Sequence, residues 1–283
     1  LAAGEHRDNK TMTFISYAQN QEDVLLRRAL KQVEKGCYID VGAQDPVLGS
    51  VTKTFYDAGW RGINIEPTQE YYQQLVADRP DDINLKVAIS ATAGQLTLYE
   101  FLHTGLTTSN LEYAEQHQKQ GFDYVTNTVP CLTLDQVLAQ HPLPIVHFLK
   151  IDVEGHEKSV LQGCSFKQVR PWILIIEATI PNSPEDSSYQ WHDLVLSHQY
   201  KHAYFDGLNR YYVASEHSHL LDSFTCPPRY FDDYILFTVF QLQQEIKALD
   251  SRLQMRELEL DKLYRQKIFT RGWRKIKHLF KKT

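Results

Sequence analysis

The sequence predicts an α/β protein: a doubly wound, mostly parallel seven-stranded sheet followed by a C-terminal coiled-coil helix. Three observations predict it. Short apolar runs that end in Gly, Pro or an acid alternate with amphipathic segments, the order produced by parallel strands joined through crossover helices. The runs 145–151 and 172–176 are apolar nearly throughout, which suits strands covered on both faces. Beyond Leu242 the apolar spacing changes to steps of four and three, the repeat of a coiled coil.

Taken in order, residues 1–13 read as a tail or an expression remnant, and a first domain runs from 14 to 240. Residues 19–33 place Val24, Leu25, Ala29, Leu30 and Val33 on one helical face, and Gly36 ends the helix. Strands follow at 37–41, 62–66 and 85–90, separated by helices at 50–58 and 68–78, with a further extended run at 95–101. The polar stretch 104–128 reads as a lid or substrate loop. Strand 145–151, helix 157–163 and the central strand 172–176 come next, and 202–206, 210–214 and 234–239 close the sheet.

A helix over 241–265 carries Ile246, Leu253 and Leu260 at heptad position a, and Leu242, Leu249 and Leu263 at d, with Arg256 filling one seam position. It predicts homo-oligomerisation, the alternative being a helix that lies against its own domain. Residues 266–283 mix Trp273, Ile276, Leu279 and Phe280 with basic residues. This is the composition of an amphipathic segment on an anionic membrane surface or a glycosyltransferase partner, the alternative being a solvated tail or linker.

Net charge is −5, but nine basic residues and no acid follow Asp261. The preceding part therefore carries about −14, and such a surface repels phosphate backbones, so nucleic acid is not an expected substrate. The four cysteines are scattered without a CxxC pair, which excludes a zinc knuckle and fits a reduced, cytoplasmic setting. No run approaches eighteen apolar residues and no signal peptide is visible. The expected location is cytoplasmic, peripheral on the inner face of a membrane if the tail binds there.

Ligands of open parallel sheets bind beyond the carboxyl ends of the strands, so the residues there are the ones to inspect. After the first strand stand Asp40, Gly42 and Ala43, and about 25 residues on comes Glu66, followed by Pro67. A glycine lets backbone approach a ligand, and an acid at that distance can accept bonds from both ribose hydroxyls. Gln44 stands where a dinucleotide motif needs its second glycine, and Asp45 would oppose a pyrophosphate. A cofactor with a ribose and no phosphate fits better, and S-adenosylmethionine is one.

A second cluster, Lys150-Ile151-Asp152-Val153-Glu154-Gly155-His156-Glu157, follows a buried strand. Asp152, Glu154 and His156 alternate, so an extended backbone aims them to one side. They can hold a divalent metal such as Mg or position a general base; alternatively they only cap the next helix. Glu177 ends the neighbouring strand and is grouped with Asp152 and Glu154 as a metal ligand. His103 is a second candidate base, and Asp206, Asn209, Asp232 and Asp233 are candidate acceptor-binding groups.

These segments, in order, resemble the FkbM family of S-adenosylmethionine-dependent methyltransferases. The resemblance rests on SYAQ at 16–19 with Glu22-Asp23, YIDVGA at 38–43, SVTKTFYDAGWRGINIEP at 50–67 and GLTTSN at 105–110. It continues through FLKIDVEGHEKSVLQG at 148–163, RPWILIIEA at 170–178, FDGLNRYYV at 205–213 and PPRYFDDYILF at 227–237. It implies a Rossmann-like class I methyltransferase fold and O-methylation, often of a sugar hydroxyl in a polysaccharide or glycolipid. It also implies roles by position: Asp40, Gly42 and Ala43 along methionine and ribose, Glu66 on the ribose hydroxyls, Val87 and Ala88 beside adenine. Tyr17 and Gln19 would close the site, and Asp152 would lie under the sulfonium or beside the acceptor.

Methyl transfer is an in-line displacement, so alignment supplies much of the catalysis. A sugar hydroxyl also needs help losing its proton, for which His156 and Asp152 are the candidates, with Glu154 and Glu177 orienting. Two other readings stay open: a methyltransferase of small natural products, and a non-catalytic methyltransferase-like interaction module.

Overall fold

A computed structural model describes residues 14–279, with side chains through Phe269. The N-terminal tail, and the side chains of 270–283 on which the membrane-surface reading rests, lie outside the described residues. Two compact units meet after Tyr234.

The first unit contains β1 (Phe14–Ser16), α1 (Glu22–Ala29), β2 (Cys37–Val41), α2 (Lys53–Asp57), β3 (Arg61–Ile65), α3 (Gln69–Asp78) and β4 (Ile83–Leu85). It continues with β5 (Ala88–Ile89), β6 (Gly94–Glu100), α4 (Leu111–Lys119), β7 (Val125–Leu132), α5 (Leu134–Gln140), β8 (Phe148–Ile151) and α6 (Glu157–Gln162). Last come β9 (Ile173–Glu177), α7 (His192–Ser197), β10 (Tyr200–Phe205) and β11 (Asn209–Ala214). At the junction lies β12 (Tyr234–Leu236), and α8 (Phe237–Leu279) forms nearly all of the second unit.

The main sheet has seven strands in the order β10-β11-β9-β8-β2-β3-β4. The five strands from β9 to β4 are mutually parallel, and β11 and β10 are antiparallel additions at one edge. The chain winds outward from β2 through β3 and β4, then crosses to build β8 and β9 on the other side. The switch point is therefore the gap between the carboxyl ends of β2 and β8.

Side-chain alternation buries both faces. Ile39, Val41, Leu149, Ile151, Leu174 and Ile176 join one core cluster, while Tyr38, Phe148, Ile173 and Ile175 join the other. Burying about ten such side chains, each contributing roughly 2 kcal/mol, is the main force holding the strands in register.

Three expectations change. The run 85–90 divides between two sheets, because β4 pairs with β3 whereas β5 pairs with β7. The stretch 104–128 is not one loop: it holds α4, capped by the Asn110 side chain accepting from Glu112 N, and the start of β7. Residues 234–239 are extended only over β12, which is outside the seven-stranded sheet, before α8 begins. β7 also escapes a periodicity reading. It is mostly exposed and contains Pro130, tolerated because β5 pairs only with Cys131 and Leu132, so the backbone at Pro130 has a partner on one side alone.

Candidate active site

A crevice opens over the switch point. It is lined by Val41, Gly42 and Ala43 after β2, Glu66 and Pro67 after β3, Val87 and Ala88 after β4, and Lys150, Asp152, Glu154 and His156 after β8. Gln19 closes it from the α1 side, and Leu96, Leu98, Thr107 and Ser109 from the β6–α4 side. Crevice and mouth together span about 1020 Å³, open solvent at the mouth included.

Gly42 fixes the floor. Its φ is +80°, and a Cβ there would lie 1.8 Å from the Asp152 carbonyl oxygen. No other residue lets the β2 and β8 exits come so close. Gly42 N and Ala43 N both donate to Ile65 O, at 3.0 and 3.2 Å, and Asp152 N donates to Val41 O at 3.0 Å. Three strand exits are thus stitched into one rim.

Glu66 is buried at that rim. One carboxylate oxygen accepts from Thr68 N (2.8 Å) and Thr68 Oγ1 (2.6 Å), and the other from Gln44 N (3.0 Å). A carboxylate has about four acceptor positions, so the oxygen facing Gln44 keeps capacity for a ligand hydroxyl. Burial pushes the Glu66 carboxyl upward, against the pull of the Thr68 and Gln44 donors.

Asp40 does not line the crevice. It shares the strand face of Tyr38, opposite Ile39 and Val41, so its carboxylate turns under α2. There Thr52 Oγ1 donates to it at 3.1 Å, while its other oxygen lies 3.7 Å from Lys150 Nζ. Lys150, which does reach the crevice, also stands 3.1 Å from Asp152. Burial opposes its charge, but Asp152 and Asp40 outweigh that and hold its pKa above the ordinary lysine range. Sequence reasoning assigns Lys150 no role. Its signal was a charge inside the apolar strand 145–151.

On the β9 side, ligand oxygens of Asp152, Glu154 and Glu177 lie within 4.8 Å of one another. Glu177 is buried, and its Oε2 has no hydrogen-bond partner. Glu154 has a left-handed φ of +52° and is followed by Gly155 at +92°, a turn that thrusts the Glu154 carboxylate into the crevice. Burial first, then the neighbouring acids, hold the Glu154 and Glu177 carboxyls well above the usual range. Hard oxygen donors so crowded suit Mg²⁺, Mn²⁺ or Ca²⁺, and the orphaned Glu177 oxygen fits such an ion.

His156 lines the crevice with both ring nitrogens engaged, one by Ser90 Oγ and one by Ser109 Oγ, each at 3.0 Å. Burial lowers its pKa, keeping the imidazole neutral. Glu157 is turned away as a backbone cap, accepting from Gly155 N at 3.0 Å and Val153 N at 3.2 Å. Thr108 Oγ1 donates to Glu154 O at 2.7 Å, so the 105–110 segment is fastened to the acidic turn.

Other expected residues lie elsewhere. Tyr17 lines a separate cavity with Phe14, Arg27, Trp60 and Phe231, beside Asp57. His103 is on the surface, 3.1 Å from Glu70. Asp206 caps its own turn, accepting from Leu208 N and Asn209 N, and Asn209 is buried against Glu22. Asp232 binds Arg28. Asp233 ends a short 3-10 turn in the left-handed region. None of these six lines the crevice.

The family model for the methyltransferase FkbM domain matches residues 40–219, a span that contains every strand exit of the crevice. The chain belongs to the FkbM methyltransferase family. It is accordingly an S-adenosylmethionine-dependent methyltransferase. Among solved structures, the chain is similar to an O-methyltransferase from Bacillus cereus in complex with SAH, at 11% identity and a TM-score of 0.36 over 69% of this chain and 81% of that one. It is similar also to a putative O-methyltransferase from Klebsiella pneumoniae, at 12% identity and a TM-score of 0.32 over 70% and 81%. A search of curated proteins gave no match. Of the residues expected to bind the methyl donor, Gln19, Gly42, Ala43, Glu66, Pro67, Val87, Ala88 and Asp152 line the crevice.

Proposed function

We propose that this FkbM protein methylates a hydroxyl oxygen, the acceptor being a sugar unit of a polysaccharide or glycolipid, with the Asp152–Glu154–Glu177 cluster placing and deprotonating it. One observation carries the reading: a part-buried acidic cluster with one unpartnered Glu177 oxygen adjoins a crevice whose opposite wall is glycine backbone and a ribose-competent glutamate. S-adenosylmethionine supplies the electrophilic methyl group. Gly42 and Ala43 admit its chain to the floor, Glu66 accepts its ribose hydroxyls, and Leu96 and Leu98 offer apolar walls.

Asp152 has two demands on it, the Lys150 ammonium and the acceptor proton. Lys150 pairs with it at 3.1 Å and orients it. A divalent ion held by Asp152, Glu154 and Glu177 would lower the pKa of a coordinated hydroxyl. His156 is placed as a neutral orienter through Ser90 and Ser109, and accepts a proton only if one of these bonds opens. The mouth supports a carbohydrate partner: Tyr113 packs on Gly155 next to Glu154, and Thr107 and Ser109 offer hydroxyls. Flat rings with hydroxyl groups suit sugar faces.

The test is transfer of labelled methyl to glycans of the source organism, with and without chelator. Label on a sugar oxygen, lost in Asp152→Asn, is the expected outcome. Label on amines or carboxylates alone would overturn the hydroxyl reading. The peripheral-membrane part of the proposal rests on composition, since no helix among the described residues is long and apolar enough to cross a bilayer. Salt-sensitive flotation of the full chain with anionic vesicles tests it.

A further inference from the structure

We infer that α8 is one strand of a parallel, in-register, two-stranded coiled coil whose partner is a second copy of this chain. The helix is continuous from Phe237 to Leu279. Its heptad places Val239, Ile246, Leu253 and Leu260 at a, and Leu242, Leu249, Arg256 and Leu263 at d. The six Leu and Ile side chains of this set are each more than half exposed. From Val239 to Leu263 the seam runs roughly 36 Å at 1.5 Å per residue. A narrow a/d stripe of this kind is the geometry of a pairing seam and not of a helix lying broadly on a globular core.

Charge at the flanking positions selects both partner and direction. Position g carries Glu245, Arg252 and Glu259, and position e carries Gln243, Asp250, Glu257 and Tyr264. In a parallel homodimer each g faces e of the next heptad on the partner. Arg252 then meets Glu257 of the second copy twice, offsetting the two Glu245–Asp250 encounters, and Glu259 meets the neutral Tyr264. In the antiparallel register that overlaps the whole seam, g faces g and e faces e. Glu245 would meet Glu259 twice, Arg252 would meet Arg252, and Asp250 would meet Asp250, with no attraction in return. Arg256, the one polar seam residue, faces the second copy's Arg256 across a parallel seam, and that repulsion is offset by Glu257 of the second copy beside it and by Glu259 at 3.6 Å within its own helix. A polar seam residue costs stability and fixes register.

The test is sedimentation equilibrium on the full chain. Twice the chain mass is expected at tens of micromolar, and Leu249→Lys with Leu253→Lys should return it to one chain mass with the S-adenosylhomocysteine-dependent rise in Tm intact. Two charge variants probe the direction without touching the seam. Arg252→Glu alone and Glu257→Arg alone should each weaken the dimer by about tenfold. An equimolar mixture of the two should recover it, because both cross-pairs become attractive. A single-chain mass for the wild type, including one that binds anionic vesicles as a monomer, would overturn the inference. So would a dimer that either charge variant leaves unchanged, or a mixture that stays as weak as its components.

Discussion

On the β2–β3 side of the crevice the lining carboxylate, Glu66, has hydrogen-bond donors on both oxygens, whereas on the β8–β9 side the carboxylates crowd chiefly against one another. Glu66 is held by three donors from Gln44 and Thr68; behind the wall, Asp40 accepts from Thr52, and its other oxygen has only the Lys150 ammonium 3.7 Å away. Of Asp152, Glu154 and Glu177, Asp152 alone pairs with a cation, Lys150, among the described residues, and Glu177 keeps a buried oxygen without a hydrogen-bond partner. A satisfied acid is rigid and serves to shape a site. An under-satisfied acid keeps its free energy for a proton, a cation or a ligand hydroxyl. The difference separates holding the donor from activating the acceptor.

The largest expected effect comes from the place where both sides touch. Gly42→Ala drives a Cβ into the Asp152 carbonyl and strains a left-handed backbone, so it should cost roughly 3 kcal/mol or more of stability and abolish turnover. Thermal unfolding with and without S-adenosylhomocysteine checks this; an active Gly42→Ala chain would break the description of the rim. Next, Asp152→Asn and Glu177→Gln should lower kcat by about 10²-fold or more while changing donor affinity little. Any stabilisation by Mn²⁺ or Mg²⁺ should vanish in both variants. If donor affinity collapses instead, the two sides do not divide the work.

Glu66→Gln should do the reverse, weakening S-adenosylhomocysteine about tenfold, near 1.4 kcal/mol, with a smaller change in kcat. Calorimetric titration reads it directly. His156→Gln, which keeps hydrogen bonding to Ser90 or Ser109, should reduce kcat by less than Asp152→Asn does. An equal loss would promote His156 to the base.

The smallest effect concerns pH. Glu22 at the start of α1 is buried, and burial, offset in part by backbone donors, pushes its carboxyl up to about 7. The folded state therefore binds a proton that the unfolded chain releases near its ordinary value. Stability from this group is present below about pH 4.5 and lost as pH rises through 7, a decline of at most roughly 3 kcal/mol. Glu22→Gln should flatten the fall in Tm between pH 5 and 8. A parallel decline in both chains would assign it to the other buried acids.

Much of this was legible in the sequence because burial on both faces leaves a plain trace. The runs at 37–41, 62–66 and 172–176 became β2, β3 and β9 within a residue or so, and the glycine and acids ending them lie where parallel sheets put ligands. β7 and α4 were not legible. An exposed, proline-bearing strand in a three-stranded side sheet has neither apolar alternation nor length to declare itself. Asp206 and Asn209 look like ligand-binding groups in a string of letters, and only their pairing with their own turn and with Glu22, 187 residues away, shows them spent.

By itself the sequence determined the central strands β2, β3, β8 and β9, the crevice glycine and its glutamate, the acidic character of the β8 exit, and the heptad. Those follow from local patterning, where each residue's neighbours along the chain set its conformation and face. Tertiary structure alone decided that Asp40 lies behind the wall, that Lys150 is the cation joining Asp40 to Asp152, and that one Glu177 oxygen is left without a hydrogen-bond partner close to Glu154. Hydrogen-bond satisfaction and charge pairing depend on groups far apart in the chain, so they exist only once the sheet has brought those groups together.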